Sequence, residues 1–329
     1  MRGAAIRGRM GEKGDNIVEE TYYELRWSGK KQMLTCYAHD ILNYRYNWHH
    51  SEYEIDILLH GKMEFCKGKE TYIMEEDDVI LVEPQVGHAS FAMCEDTCAL
   101  VIRFSDGIFQ TLLKPGEAFF FNGCCSNKEN RYQPDFQQLR LFAAYMLSVA
   151  ADKGPYSSMT IKSCMGMIAS VLCRMFDPQI KRHLGENEGY EETVRRFIRY
   201  LEEHYSSKLT LEDLARFSQY NRTYVSTIFK NAVGINFHEY LTRLRIRHAI
   251  FELSTTTKNL TEVAIDNGFS DLKTFNNRFR EVFKCTPAEY RARLVPGQVM
   301  PLFGKKKLIS VQDPRVKAKL KEYGLGTIE

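Results

Sequence analysis

Nowhere do the 329 residues hold the run of roughly 18 apolar side chains that a helical membrane span requires. The first residues carry arginines but no hydrophobic stretch of the kind that drives export, so the expected location is the cytoplasm. Paired cysteine spacings of a zinc finger are missing as well. Nine cysteines is an odd number, and Cys94, Cys98, Cys124 and Cys125 read as free thiols of a reducing compartment. Net charge is nearly absent too, at +3, and says little by itself. Its distribution says more: residues 190–294 carry +4 while residues 21–177 carry −5. A basic excess on one half suits a surface that meets nucleic acid. Residues 1–20 are poor in apolar side chains and rich in Gly, Arg and Glu, the composition of a mobile arm.

The most ordered pattern runs from Thr261 to Leu294. Ala264 and Ile265 give a short helix its inward face, Gly268 ends it in the left-handed region, and Phe269 tucks beneath. Ser270 is placed to cap the next helix, with Asp271 in its first turn. There Leu272, Phe275, Phe279, Val282 and Phe283 recur at spacings of three and four, a buried stripe. Lys273, Thr274, Asn277 and Arg280 fall on other faces. Thr286-Pro287-Ala288-Glu289 then opens a third helix as a capping box. A short helix, a turn and a second helix with a polar outer face is the helix-turn-helix plan.

The plan occurs twice. Phe229-Lys230 lies 50 positions before Phe279-Arg280, and the same offset relates Asn236 to Thr286, Glu239 to Glu289 and Tyr240 to Tyr290. In the upstream copy Thr210 caps LEDLARFS, and Asn221 caps RTYVSTIFKN, with Val225, Ile228 and Phe229 inward. A helix over Glu191–Tyr205 precedes it. Asn236 opens a connecting helix of about 18 residues, hence about 27 Å, comparable to the spacing of about 34 Å between successive major-groove faces.

Residues 32–104 change character to short runs of β type separated by turn signals at Gly61, Lys67-Gly68, Asp77-Asp78 and Pro84–Gly87, which implies an antiparallel barrel or sandwich. Pro134 to Met146 and Met159 to Phe176 read as two helices. The second is apolar over so much of its circumference that other elements must cover it, its own barrel being one candidate. Asp177 to Gly189 is polar and reads as a linker. After Leu294 comes a tail with Lys305-Lys306-Lys307 and a final helix from Asp313-Pro314, read as a solvated or surface-packed extension whose charge of +4 could add phosphate affinity.

The segments LTLEDLARFSQYNRTYVSTIFKNAVGINFHEYLTRLRIRHAIFEL and EVAIDNGFSDLKTFNNRFREVFKCTPAEYR resemble the AraC family of transcription regulators, in particular its doubled DNA-binding domain. His50-Ser51-Glu52-Tyr53-Glu54 with Gly61, and Pro84–His88, resemble the two cupin motifs. The resemblance implies a multidomain chain. Its N-terminal part is an all-β cupin-like barrel with a helical dimerisation element. Its C-terminal part is an all-α domain with two helix-turn-helix motifs joined by a long helix. The expected boundaries are arm 1–20, effector-sensing domain 21–132, helical pair 133–177, linker 178–189, DNA-binding domain 190–294 and extension 295–329. Positions matching those that face DNA are Arg222, Thr223, Ser226, Thr227 and Lys230 on the first reading helix, and Lys273, Thr274, Asn277 and Arg278 on the second. Leu272 replaces a more usual polar residue there. Trp48, His50, Tyr53, Glu54 and His88 are the expected effector contacts, and an aromatic edge of Tyr37, Tyr44, Tyr46, Trp48 and Tyr53 suits a carbohydrate-related ligand.

His50, Glu54 and His88 match three positions of metal-binding cupins. Trp48 stands where a further histidine would, and strand alternation turns the adjacent His49 away. No metal, cofactor or catalytic residue is therefore assigned, and the chain is expected not to be an enzyme. The competing reading is a metal-dependent cupin enzyme fused to a DNA-binding domain. A DNA-repair alkyl transferase would need an activated cysteine, and none here has neighbouring proton acceptors. The implied partners are double-stranded promoter DNA, a small-molecule effector, RNA polymerase and a second copy of the chain, with no membrane, and the implied action is activation of transcription.

Overall fold

The computed structural model describes residues 22–27, 30–41, 45–152, 154, 156–182, 188–294 and 307–325. The arm at 1–20, Tyr44, Lys305 and Lys306 lie outside the described residues. Strands follow in chain order as β1 (Tyr22–Trp27), β2 (Lys30–Asp40), β3 (Arg45–Asn47), β4 (Glu52–His60), β5 (Lys62–Lys67), β6 (Glu70–Glu75), β7 (Val79–Val82), β8 (His88–Ala92), β9 (Cys98–Ser105) and β10 (Glu117–Phe121). Two helices come next, α1 (Pro134–Asp152) and α2 (Ser157–Met175), and then β11 (Pro178–Arg182).

The larger sheet runs β1–β2–β9–β4–β7 and the smaller one β3–β8–β5–β6, all antiparallel. Among the described residues no ladder joins the two sheets. The region is therefore an open sandwich, one of the two arrangements expected from the strand pattern, and not the barrel that the cupin resemblance implied. Strand alternation divides β4 between two layers. Ile55, Ile57 and Leu59 point to a core shared with α1 and α2, while Leu58 points between the sheets with Met63, Phe65, Met74, Ile80 and Val82. Gly61 makes the tight β4–β5 turn at φ 88°, where a Cβ would meet the Thr97 backbone and hydroxyl.

Helices α1 and α2 lie on the outer face of the larger sheet. Ile161, Cys164, Met165, Ile168, Val171 and Leu172 are buried against it, so the helix covers its own domain along this stripe. Met167 and Met175 of the same helix are 43% and 45% exposed, so the burial does not extend round its whole apolar circumference. The expected linker is a strand over its first five residues, since β11 pairs with β10 from Pro178↔Phe121 to Arg182↔Glu117.

The helical part comprises α3 (Glu188–His204), α4 (Leu211–Ser218), α5 (Arg222–Val233), α6 (Phe237–Thr255), α7 (Leu260–Asp266), α8 (Leu272–Phe283) and α9 (Pro287–Arg293). One core gathers Phe197, Leu214, Val225, Phe229 and Tyr240; a second gathers Ile250, Val263, Phe275, Phe279 and Tyr290. Helix α6 contributes to both. Val263 and Ala264, not Ile265, form the inward face of α7; Ile265 is half-exposed because three residues of so short a helix cannot share one side. Gly268 has φ 80°, and the Phe269 amide returns to the Ala264 carbonyl at 3.0 Å, closing the turn as expected.

The chain then returns to the β domain. A last strand, β12 (Lys307–Ile309), pairs with Ala38–Asp40 of β2, and α10 (Pro314–Leu320) buries Val316 and Leu320 in the core beneath α1. The extension is thus packed rather than solvated, and it reaches deeper than the surface, into the core itself. Alternating charge hid its two inward apolar residues, four positions apart on one helix face.

Tyr53, expected at the ligand site, lies in the outer core. Its hydroxyl donates to the Phe119 carbonyl at 2.9 Å, and its ring stacks on Phe104. Tyr53→Phe is expected to lower stability by about 1–2 kcal/mol by orphaning that buried carbonyl while the ring packing stays. Urea unfolding measures it.

Candidate nucleic-acid interface and buried polar cluster

Helices α5 and α8, expected to face DNA, are both set by their N-termini. The Asn221 side chain accepts from the Tyr224 amide at 2.8 Å and starts α5. At α8 the cap is Asp271, not Ser270. The Asp271 carboxylate accepts from the Thr274 amide at 2.7 Å, and the Ser270 hydroxyl merely donates to it. A carboxylate is the better cap here because it also meets the positive end of the helix dipole, and these hydrogen bonds hold it below the ordinary aspartate range.

With Val225, Ile228 and Phe229 buried, α5 turns Arg222, Thr223, Ser226, Thr227 and Lys230 to solvent. Arg222 is ion-paired with Glu212 of α4 at 2.5 Å, and the Thr227 hydroxyl donates to the Thr223 carbonyl at 2.9 Å. Tyr224 is half-exposed against Tyr220. On α8, Lys273 and Asn277 are exposed opposite Phe275 and Phe279. Thr274 is half-buried, its hydroxyl donating to Asp271 at 2.9 Å. Leu272 is half-buried too, as its chemistry requires. Arg278 departs from the group. It pairs with Glu281 at 2.9 Å and lines a cleft of about 410 Å³ facing Glu64 and Met93 of the β domain.

That cleft marks a junction which sequence patterns did not signal. Arg243 of α6 makes a two-pronged ion pair with Glu64 of β5 and a further one with Glu239, and its guanidinium lies over the Phe91 ring. Arg195 of α3 lies over the Trp48 ring at 4.6 Å. The expected effector residue Trp48 is thus a contact between domains.

Between the sheets sits a buried polar cluster. Glu54 accepts from His88 and His49 at 3.1 Å each, and Arg103 Nε lies 3.8 Å away. The His88 ring stacks on Phe65. His50, expected here, is exposed beside Trp48, and His49 takes its place. The reason is local: β3 ends at Asn47 and β4 begins at Glu52, so residues 48–51 are not strand and alternation does not govern them. The donor atoms of His49, Glu54 and His88 lie within 4.8 Å of one another. Two imidazoles and a carboxylate suit a divalent transition ion.

Burial pushes the Glu54 carboxyl up, but the His88 charge and the hydrogen bonds from His49 and His88 outweigh it and hold Glu54 well below the usual range. Asp56, two residues along on the same face, is pushed well above its range by burial and by the neighbouring Glu54. Asp56 Oδ2 and Thr35 Oγ1 are buried without a hydrogen-bond partner among the described residues. Thr35 lies directly opposite Arg103 in the β2–β9 ladder, and Glu54 opposite Arg103 in the β4–β9 ladder.

The two carboxyls give opposite pH dependences. Glu54 contributes stability that is present above the ordinary carboxylate range and lost as pH falls through its depressed folded value. Asp56 contributes stability that is present below that range and lost as pH rises through its raised folded value. Asp56→Asn should therefore be at least as stable as the parent near pH 8, with a smaller loss between about pH 5 and pH 8. Urea midpoints in metal-free buffer at the two pH values test this.

A model described as a helix-turn-helix domain matches residues 214–293. An uncharacterised HTH-type transcriptional regulator of Staphylococcus aureus is 26% identical over 159 residues, which is 48% of this chain and 21% of that protein. The chain thus spans about a fifth of that relative's length. The Msm operon regulatory protein of Streptococcus mutans is 21% identical over 244 residues, covering 74% of this chain and 84% of that one. Among solved structures, the C-terminal domain of AraT, a response regulator from Geobacillus stearothermophilus, has 30% identity over 33% of this chain and 91% of its own, with a TM-score of 0.31.

Proposed function

Because its C-terminal region places this chain in the AraC family of helix-turn-helix proteins, we propose that it is a sequence-specific regulator of transcription that binds promoter DNA through α5 and α8. The observation that carries the reading is the pair of capped helices, each with one apolar face buried and the opposite polar face exposed, flanking the 19-residue α6. A helix of that length is about 28 Å long, of the order of the spacing between successive major-groove faces, so two reading helices can address neighbouring grooves. Asn277 can make a paired hydrogen bond to adenine, and Arg222 or Lys273 can reach guanine or phosphate. Thr223, Ser226 and Thr227 are short, which suits close packing against the backbone and thymine methyls.

The inter-sheet cluster is the proposed effector site. Unsatisfied Thr35 Oγ1 and Asp56 Oδ2 beside Glu54 and His88 favour a ligand that supplies hydroxyl or similar polar groups. An effector acts by binding one arrangement of the domains more tightly than another. The exposed apolar side chains of α2, with Met159 72% and Met167 43% exposed, favour a second copy docked on this face. RNA polymerase is the further partner if the action is activation. The proposed division is a sensing part up to residue 132, a dimerisation pair at 133–177 and a DNA-binding part at 190–294.

A second reading, a metal-dependent enzyme joined to a DNA-binding domain, rests on the convergence of His49, Glu54 and His88. Elemental analysis of the purified chain separates the two, since the enzyme requires stoichiometric metal that Glu54→Gln removes.

Lys273→Ala and Asn277→Ala are each expected to weaken operator binding by roughly 1–3 kcal/mol. Lys273→Ala should also flatten the salt dependence if its partner is a phosphate. Titration of labelled promoter fragments measures both, and wild-type affinity in both variants contradicts the assigned face of α8.

A further inference from the structure

The tail after the DNA-binding helices makes its contacts with the β domain. Lys307, Leu308 and Ile309 pair with Asp40, His39 and Ala38, beside the stretch of β2 that β1 covers. Arg315 forms an ion pair with the buried Asp40 at 3.0 Å and donates to the Asp96 carbonyl at 2.9 Å. Val316 and Leu320 have no exposed surface and belong to the same core as Ile55, Leu100 and Phe136. At the far end, Lys319 and Tyr323 both donate to Asp77 Oδ1, at 2.9 and 2.7 Å. Asp77 occupies a turn at φ 71°, and Arg140 donates to its carbonyl while lying over the Tyr323 ring. Burial pushes the Asp77 carboxyl up, but the Lys319 and Tyr323 hydrogen bonds more than offset it.

We infer that residues 307–325 are an integral part of the N-terminal β domain, so that this domain is assembled from two separated stretches of chain with the helix-turn-helix domain inserted between them. The helical domain is then tethered at both ends. Its first connection leaves β11 at Arg182, and its second re-enters the β domain at β12. The turn between β8 and β9 binds both sides of the second connection, through Arg293 of α9 to Glu95 at 3.4 Å and Arg315 to Asp96. Reorientation of the DNA-binding part against the sensor therefore has to be accommodated at two points, which narrows the arrangements an effector can select.

The test uses the full chain carrying Lys319→Ala and Tyr323→Phe, followed by amide hydrogen exchange. Loss of the Asp77 contacts is expected to raise exchange about tenfold or more in residues 38–41 as well as in 307–316, with residues 225–233 and 275–283 unchanged. A rise confined to the tail, with 38–41 as protected as before, overturns the proposal. A chain ending at Lys306 is expected to lose about 4 °C or more of thermal midpoint, and a synthetic peptide of residues 307–325 to restore it. An unchanged midpoint also overturns the proposal, and the double variant decides irrespective of whether the shortened chain folds.

Discussion

The way the helical part sits on the β domain turns on one buried charge. Arg243 sits on the helix that joins the two helix-turn-helix units, and its guanidinium is held by Glu64 of the smaller sheet and Glu239 of its own helix. Such a pair contributes little net stability, because removing both charges from water costs about as much as their attraction returns. Its strength lies in specificity: either partner without the other is a desolvated charge, so the helix has one favourable seat on the sheet. The surrounding contacts agree with that seat. Ala232 approaches the chain at Gly87, Gly234 approaches Gly68 and Cys66, and Phe283 lies beside Phe91.

Because α6 is both the seat and the spacer, the β domain and the helices α5 and α8 share a rigid part. Its buried face contains Arg243, Arg247 and His248 along with Leu244, Ala249 and Ile250. Arg247 is neutralised by Glu202 of α3, and Tyr205 stacks on His248 at 3.7 Å. Polar groups on a helix enclosed on nearly all sides need partners from several elements, and this ties α3, α6 and the β domain into one network. The polar cluster around Glu54 lies on the inner side of the same sandwich whose outer side carries that seat. His88 of that cluster is the chain neighbour of Ala89, which packs against the helices.

Much of the helical half was legible because local rules suffice for it. Caps at Thr210, Asn221, Asn236 and Thr286, the left-handed Gly268 and the stripes on α5 and α8 all follow from spacing and side-chain chemistry within a few residues. Where local rules compete, reading failed in small ways. Ser270 and Asp271 are both good caps, and the charged one prevailed. Ile265 and Val263 are both apolar, and only one side of α7 meets the core. At the β half, the strands and turns were legible but closure was not, since sheet pairing between distant segments leaves no local trace. His49 and His50 exchanged roles because the chain leaves extended geometry for four residues.

By itself the sequence determined the repeated pattern of capped helices, the apolar faces of α5 and α8 and the existence of an antiparallel β region, since each rests on periodicity and capping over short range. Only the tertiary structure decided which histidine meets Glu54, that Trp48 belongs to a domain contact, and that the tail completes the β domain. Those outcomes depend on partners as much as 246 positions apart, as Asp77 and Tyr323 are. A salt bridge or a shared core across such a distance is a property of the folded surface, and no local pattern encodes which surfaces meet.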